Sequence, residues 1–205
     1  MYGLAIHTTS GELGLTIDDF TGNRRYAVWD LGRDLSSYLH QYLQEFLTPQ
    51  TWSDLSFLAI AKGPGSFTST RIGVVTGRTL AQQLQIPIYG ISTLASLAWF
   101  LKDQYSSDTH LAISMTASRG QLFAGIYQFN QEHRNLTCHL FDTTLLPVQW
   151  QEILTNWKYP YQLIEAPLKL GQTSNSILDL GYLNYCQNQP GNYADLLPFY
   201  GQNLT

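Results

Sequence analysis

Short apolar runs at residues 2–6 and 13–17 flank the turn-rich Thr8-Thr9-Ser10-Gly11, and residues 25–29 add a third run, so the chain is predicted to open with an antiparallel meander. The period then changes. Leu35, Leu39, Leu43 and Leu47 recur every four residues, with Tyr38, Tyr42 and Phe46 as a second ridge beside them, which predicts a helix over 34–47 with Asp34 as its cap and Pro49 as its stop. Residues 57–61 read as a buried strand, 62–71 as a loop, and the sequence to about Gln85 as a helix. A strand at 86–89 and a helix from the cap Ser92 to about Leu101 complete a β-β-β-α-β-α-β-α succession. Strands are expected again near 111–115, 122–129 and 136–141, then a helix over 148–157, an extended segment over 161–165 and a helix over 173–187. The repeated plan predicts an α/β molecule of two lobes, residues 1–101 and 102–205, the second reduced.

Composition narrows the function classes. A net charge of −4, with Arg24-Arg25 as the single adjacent basic pair, argues against tight nucleic-acid binding by this chain alone, because that term scales with the phosphates neutralised. Charged residues make up 13% against roughly 25% in average domains, while aromatics reach 13%, so polar and aromatic surface patches are expected. Two cysteines are too few for a disulfide framework, and no apolar run approaches the ~20 residues that span a bilayer, so a cytoplasmic setting with no membrane contact is expected. The sequons at Asn135 and Asn203 are then chance matches.

Gly63-Pro64-Gly65-Ser66 follows a strand and opens a helix, which is where backbone N–H groups can gather around an anion. The phosphate-loop fingerprints do not fit: no Gly-Lys-Ser/Thr ends the loop, Thr68 stands where a dinucleotide fingerprint needs glycine, and Pro64 removes an amide. A tight turn that positions a helix is the other reading. In that helix Gly73 and Gly77 lie on one face that continues into Leu80, Ala81 and Leu84; two mid-helix glycines cost ~1 kcal/mol each, so close packing against another helix is expected, the alternative being packing on the chain's own sheet, which accounts for only one of the two faces. On that basis Gly73→Leu or Gly77→Leu is expected to block a partner and leave a folded monomer. The aromatic ridge of Tyr38, Tyr42 and Phe46 asks for a second helix in the same way.

The catalytic inventory is thin. His7, His40, His110, His133 and His139 show no metal-ligand spacing, neither cysteine sits in a CxxC, and there is no Gly-x-Ser-x-Gly elbow, so no catalytic residue and no metal site is expected.

The run from Ala61 through Lys62-Gly63-Pro64-Gly65-Ser66-Phe67-Thr68-Ser69-Thr70-Arg71 to Ile72-Gly73-Val74, with Gly90-Ile91-Ser92-Thr93-Leu94 after it, closely resembles the signature of the TsaB (YeaZ) family. Leu4-Ala5-Ile6-His7-Thr8, Gly120-Gln121-Leu122-Phe123 and Pro198-Phe199-Tyr200 support it elsewhere. The resemblance implies a two-lobed actin-like ATPase fold, shared with Hsp70 and sugar kinases. It also implies service in bacterial synthesis of N6-threonylcarbamoyladenosine (t6A) at position 37 of ANN-decoding tRNAs, as a non-catalytic subunit. The implied partners are the homologous catalytic subunit TsaD and the ATPase TsaE, with tRNA met only through the complex and a homodimer open to the isolated chain.

The family's dimer contact is built from helices of the first lobe. It maps here onto Leu35, Tyr38, Leu39, Tyr42, Phe46, Ser69, Gly73, Gly77, Leu80 and Ala81. Gly63, Pro64, Gly65, Ser66, Phe67, Thr68 and Arg71 would support that face or touch a nucleotide within the complex, no cofactor being bound independently. The chain departs from the family pattern at His7, where Asp usually ends the first strand, at Ser69, where Gly is usual, and at Thr116-Ala117-Ser118, where Asp-Ala-Arg is usual. Losing the carboxylate at position 7 removes a group that helps place a metal-bound nucleotide. An ATP-binding enzyme or a glycoprotease-like peptidase of the same fold is the competing class, and direct tRNA binding through Arg24 and Arg25 a third.

Overall fold

The computed structural model describes residues 1–132 and 134–201; His133 and the sequon at Asn203 lie outside the described residues. Strands β1 (Tyr2–His7), β2 (Glu12–Asp18) and β3 (Arg24–Asp30) form the expected meander. Helix α1 (Leu35–Leu47), β4 (Leu55–Ala61), α2 (Phe67–Leu84), β5 (Ile88–Ile91) and α3 (Thr93–Phe100) follow. The second half runs β6 (His110–Thr116), β7 (Leu122–Asn130), β8 (Asn135–Leu145), α4 (Pro147–Thr155), β9 (Tyr161–Glu165) and α5 (Ser174–Cys186). The first sheet has the order β3-β2-β1-β4-β5 and the second β8-β7-β6-β9, with the last strands added in parallel. This duplicated order, with the second copy one strand short, is the two-lobed actin-like arrangement.

Burial follows from the period-2 geometry of strands covered on both faces, which read as continuous apolar runs. Leu4 and Ile6 of β1, with Leu58 and Ile60 of β4, meet α1 and α2 on one side. Ala5, Phe57, Ala59 and Ala61 meet Ile177 and Leu178 of α5 on the other. In the second sheet Leu111 and Ile113 pack on Leu94, Leu97 and Ala98 of α3, while Ala112, Ala124 and Ile126 pack on Trp150 and Leu154 of α4. The helices α3 and α5 touch each other, so they form one middle layer between the sheets. A division at residue 101 therefore does not separate the two cores: α3, before it, covers the second sheet, and α5, after it, covers the first.

Local differences from the sequence reading have identifiable causes. Asp34 makes no capping bond, because a 3-10 turn over Gly32–Asp34 leads into α1 and holds Asp34 in helical backbone. Ser92 does cap α3, accepting the Ala95 N–H at 3.0 Å. Strand β8 continues to Leu145, beyond the expected end, because a bulge offsets the pairs Ala124↔Thr143 and Ile126↔Leu140 and breaks the alternation that a pattern search follows.

Candidate functional site

The glycine turn joins β4 to α2 and is clasped by the rest of the chain. The Lys62 N–H donates to Ile91 O (2.9 Å) and its carbonyl accepts from Phe199 N–H (2.7 Å). Gly63 O accepts from Thr93 N–H (2.9 Å), and Ser66 N–H donates to Thr9 O (2.8 Å). Two glycines are needed for close approach: a Cβ on Gly63, at φ +102°, would lie 2.6 Å from Phe199 O, and one on Gly65 would lie 2.2 Å from Thr9 O. Pro64 is buried between them. Ser66 leaves α2 without a side-chain cap, its hydroxyl donating instead to Ser69 Oγ at 3.1 Å. Phe67 is 60% exposed with its ring 4.5 Å from that of Tyr200, and Thr68 and Arg71 are exposed.

The face of α2 assigned to a partner requires correction. A Cβ on Gly73 would meet Thr8 Oγ1 at 2.1 Å, and one on Gly77 would meet Ile60 at 2.7 Å and Ile88 Cδ1 at 3.0 Å. Gly73, Gly77 and the buried Ala81 thus bring α2 down onto its own sheet, and the small residues serve helix-on-sheet contact within the monomer. Leu35 and Leu39, each 1% exposed, are core residues for the same reason. Leucine at position 73 or 77 would strike the sheet, so the expected folded but partnerless monomer is replaced by a damaged fold. Tyr38 stays 45% exposed, and Tyr42, Phe46, Ser69 and Leu80 are half-buried. The outward ridge of α2 is Phe67, Arg71 and Val75.

Other contributors carried little sequence signal. Trp29 of β3 packs on Tyr42 (4.7 Å between ring centroids) and edge-on to Phe46 (6.1 Å), so the aromatic ridge is already half satisfied within the molecule. The Arg25 guanidinium donates to Phe46 O and Leu47 O, closing the C-terminal end of α1, and lies over the Phe46 ring. Arg24 is held by Asp18 (2.6 Å) and Asp179 (2.7 Å). Both guanidinium groups that a direct tRNA reading would need are therefore already engaged.

Between the lobes lies a cleft of about 1310 Å³, with Arg71 and Arg78 on the α2 wall and Met115, Phe123 and Leu168 opposite. Thr116, Ala117 and Ser118 line it as well. Neither arginine forms an ion pair among the described residues. Beneath Thr9, which lines the cleft, β1 ends in His7, fully buried, with Nε2 3.1 Å from Thr9 Oγ1; burial pulls its pKa down to about 3, its own backbone opposing that only in part. The imidazole is neutral at physiological pH. His110, 3% exposed, is held in an aromatic box, stacked on His139 and Tyr159 and accepting from Trp157 Nε1–H at Nδ1 (3.2 Å). Among the described residues no three His, Cys, Asp or Glu side chains gather as metal ligands, and no helix is long and apolar enough to cross a membrane.

Comparison with known proteins gives this geometry a family. The model described as "TsaD: tRNA N6-adenosine threonylcarbamoyltransferase" matches residues 33–144, more than half of the chain. The chain belongs to this family. Within it, the chain falls on the TsaB (YeaZ) branch. It is 38% identical to the tRNA threonylcarbamoyladenosine biosynthesis protein TsaB of Bacillus subtilis (strain 168) over 101 residues, 49% of this chain and 42% of that one. Its match to the Buchnera aphidicola (subsp. Schizaphis graminum, strain Sg) protein of the same name is 39% identical over 39% of this chain and 38% of that one. The chain thus matches under half the length of these first relatives. With TsaB of Escherichia coli (strain K12) it shares 26% identity over 80% of this chain and 77% of that one. The fold is that of the structure described as "YeaZ from Pseudomonas aeruginosa", at a TM-score of 0.80 and 18% identity over 98% of this chain and 100% of that one.

Proposed function

We propose that this chain is a non-catalytic scaffold subunit of the bacterial complex that makes t6A at position 37 of tRNA, holding a TsaD-type catalytic subunit in its working form. Membership of the family carries the reading, and the name of the curated relatives, tRNA threonylcarbamoyladenosine biosynthesis protein TsaB, supports it. Chemistry at the first strand agrees. A neutral, buried imidazole at position 7 supplies no anionic oxygen for a metal-bound nucleotide, and four backbone groups of the glycine turn are already engaged by the chain itself.

The contact with the TsaD-type subunit is assigned to the outer faces of α1 and α2, through Tyr38 and the exposed edges of Tyr42, Phe46, Ser69 and Leu80. Without that subunit the same faces offer a homodimer. A TsaE-type ATPase joins the pair, ATP and tRNA are met only within the complex, and the setting is cytoplasmic. Reconstitution of tRNA modification with and without this chain is the test. Loss of t6A on omission is expected, and full activity without it would overturn the reading. Calorimetry of the isolated chain with ATP-Mg²⁺, and incubation with glycoprotein substrate, are expected to give no binding and no cleavage; either signal would favour the enzyme alternative.

A further inference from the structure

The hydroxyl-bearing run after β1 reads as turn sequence, yet the structure gives it a direction of hydrogen bonding that begins at His7. Thr93 Oγ1 donates to Thr9 Oγ1 across 3.0 Å, so the single hydroxyl proton of Thr93 is used and Thr9 accepts it. Thr9 is 2% exposed, and among the described residues the acceptor recorded within reach of its own proton is His7 Nε2, 3.1 Å away. A hydroxyl has one proton to give, so Thr9 donates to Nε2, and a neutral imidazole that accepts at Nε2 carries its proton on Nδ1. The buried Nδ1 has no hydrogen-bond partner in another residue among those described, its own backbone being the polar group that acts on the ring. The hydrogen bond that orders this ring toward another residue is therefore the one at Nε2.

The same two threonines hold the two ends of the glycine turn through their backbones. Thr9 O accepts Ser66 N–H, and Thr93 N–H donates to Gly63 O. Further inward, Ser96 Oγ lies 2.8 Å from Thr93 O and 3.2 Å from Thr173 Oγ1, its one proton going to the nearer carbonyl, where α3 meets the approach to α5. We infer that His7 is the positioning residue of the glycine turn: as the neutral Nδ1–H tautomer it takes the hydroxyl proton of Thr9, and through Thr9 and Thr93 it sets the geometry of Gly63–Ser66 and the start of α2. An imidazolium or an Nε2–H tautomer would present a donor to Thr9 and leave the threonine proton without an acceptor.

Long-range ¹H–¹⁵N NMR of the full chain reads the tautomer directly. The Nδ1–H pattern for His7, unchanged from pH 8 to pH 5, is expected; an Nε2–H pattern, or a midpoint near 6.5, overturns the inference. Amide exchange of Ser66 and Thr93 then separates positioning from filling of space. His7→Gln offers a carbonyl oxygen near the Nε2 position and is expected to leave both amides within about threefold of the parent, while His7→Leu, which fills the site without an acceptor, speeds both at least tenfold, or about 1.4 kcal/mol. Equal exchange in the two variants overturns the inference. If His7→Leu fails to fold, the tautomer in the parent chain and the exchange rates in His7→Gln still decide it.

Discussion

At position 73 a single missing Cβ sets how closely α2 can approach Thr8, the residue just past the end of β1. Alanine there would gain ~1 kcal/mol of helix propensity, but its Cβ would fall 2.1 Å from Thr8 Oγ1, a hydroxyl already donating to Ser69 O. Overpacking of this kind typically costs about 1–3 kcal/mol. Gly73→Ala is therefore expected to lower stability in urea denaturation while the folded fraction keeps its partner affinity; a stabilised variant would show that Thr8 moves aside freely. His7 supplies a second prediction at this scale. Its pKa is depressed from 6.5 to about 3, so the unfolded chain takes up the proton first as pH falls. The stability linked to His7 is whole above pH 6.5 and declines between about 6.5 and 3, by at most ~1.4 kcal/mol per pH unit. His7→Gln should flatten this acid limb relative to the parent in urea melts at stepped pH, and parallel limbs would refute the assignment.

Helix α1 divides its surface between two tasks. Leu39 is core, and Leu39→Ala should cost about 2–5 kcal/mol, lowering the urea midpoint. Tyr38, one position earlier and 45% exposed, faces away from that core. Tyr38→Asp is expected to leave the urea midpoint nearly unchanged and to abolish assembly with a TsaD-type subunit in sedimentation; an intact heterodimer would move the docking face elsewhere. Elements of this kind were legible in the sequence because their signals are periodic and local: the four-residue leucine spacing, the apolar strand before Lys62 and the serine cap at Ser92 all stand where the pattern places them. The direction of a helix face was less legible. Small residues in a stripe announce a close approach without saying to what, and the sheet beneath α2 answers for Gly73 and Gly77. The contacts of Trp29, Phe199 and Thr93 with the site join residues far apart in the chain, which no local period can report. The hydroxyls of Thr8 and Thr9 were visible only as a turn, since a relay is defined by the partner that each proton finds.

For the whole molecule, the exchange of helices between the halves makes the two cores interdependent. Phe57, Tyr89 and Ile91 lose their cover without α5, and Leu111 and Ile113 lose theirs without α3. A fragment of residues 1–101 should consequently lack the dispersed amide spectrum of a packed core, and the full chain should unfold in one transition. A well-dispersed spectrum from the fragment would show that the first sheet is self-sufficient. The order in which these pieces leave the ribosome adds a further consequence. The strand β5 is synthesised at Ile91, whereas the helix that covers its face begins only at Ser174. At about 5–20 residues per second the intervening stretch takes roughly 4–16 s to translate. During that interval the sheet face of Phe57, Tyr89 and Ile91 lacks its covering helix on every nascent chain, and chaperone capture should peak before the last helix emerges.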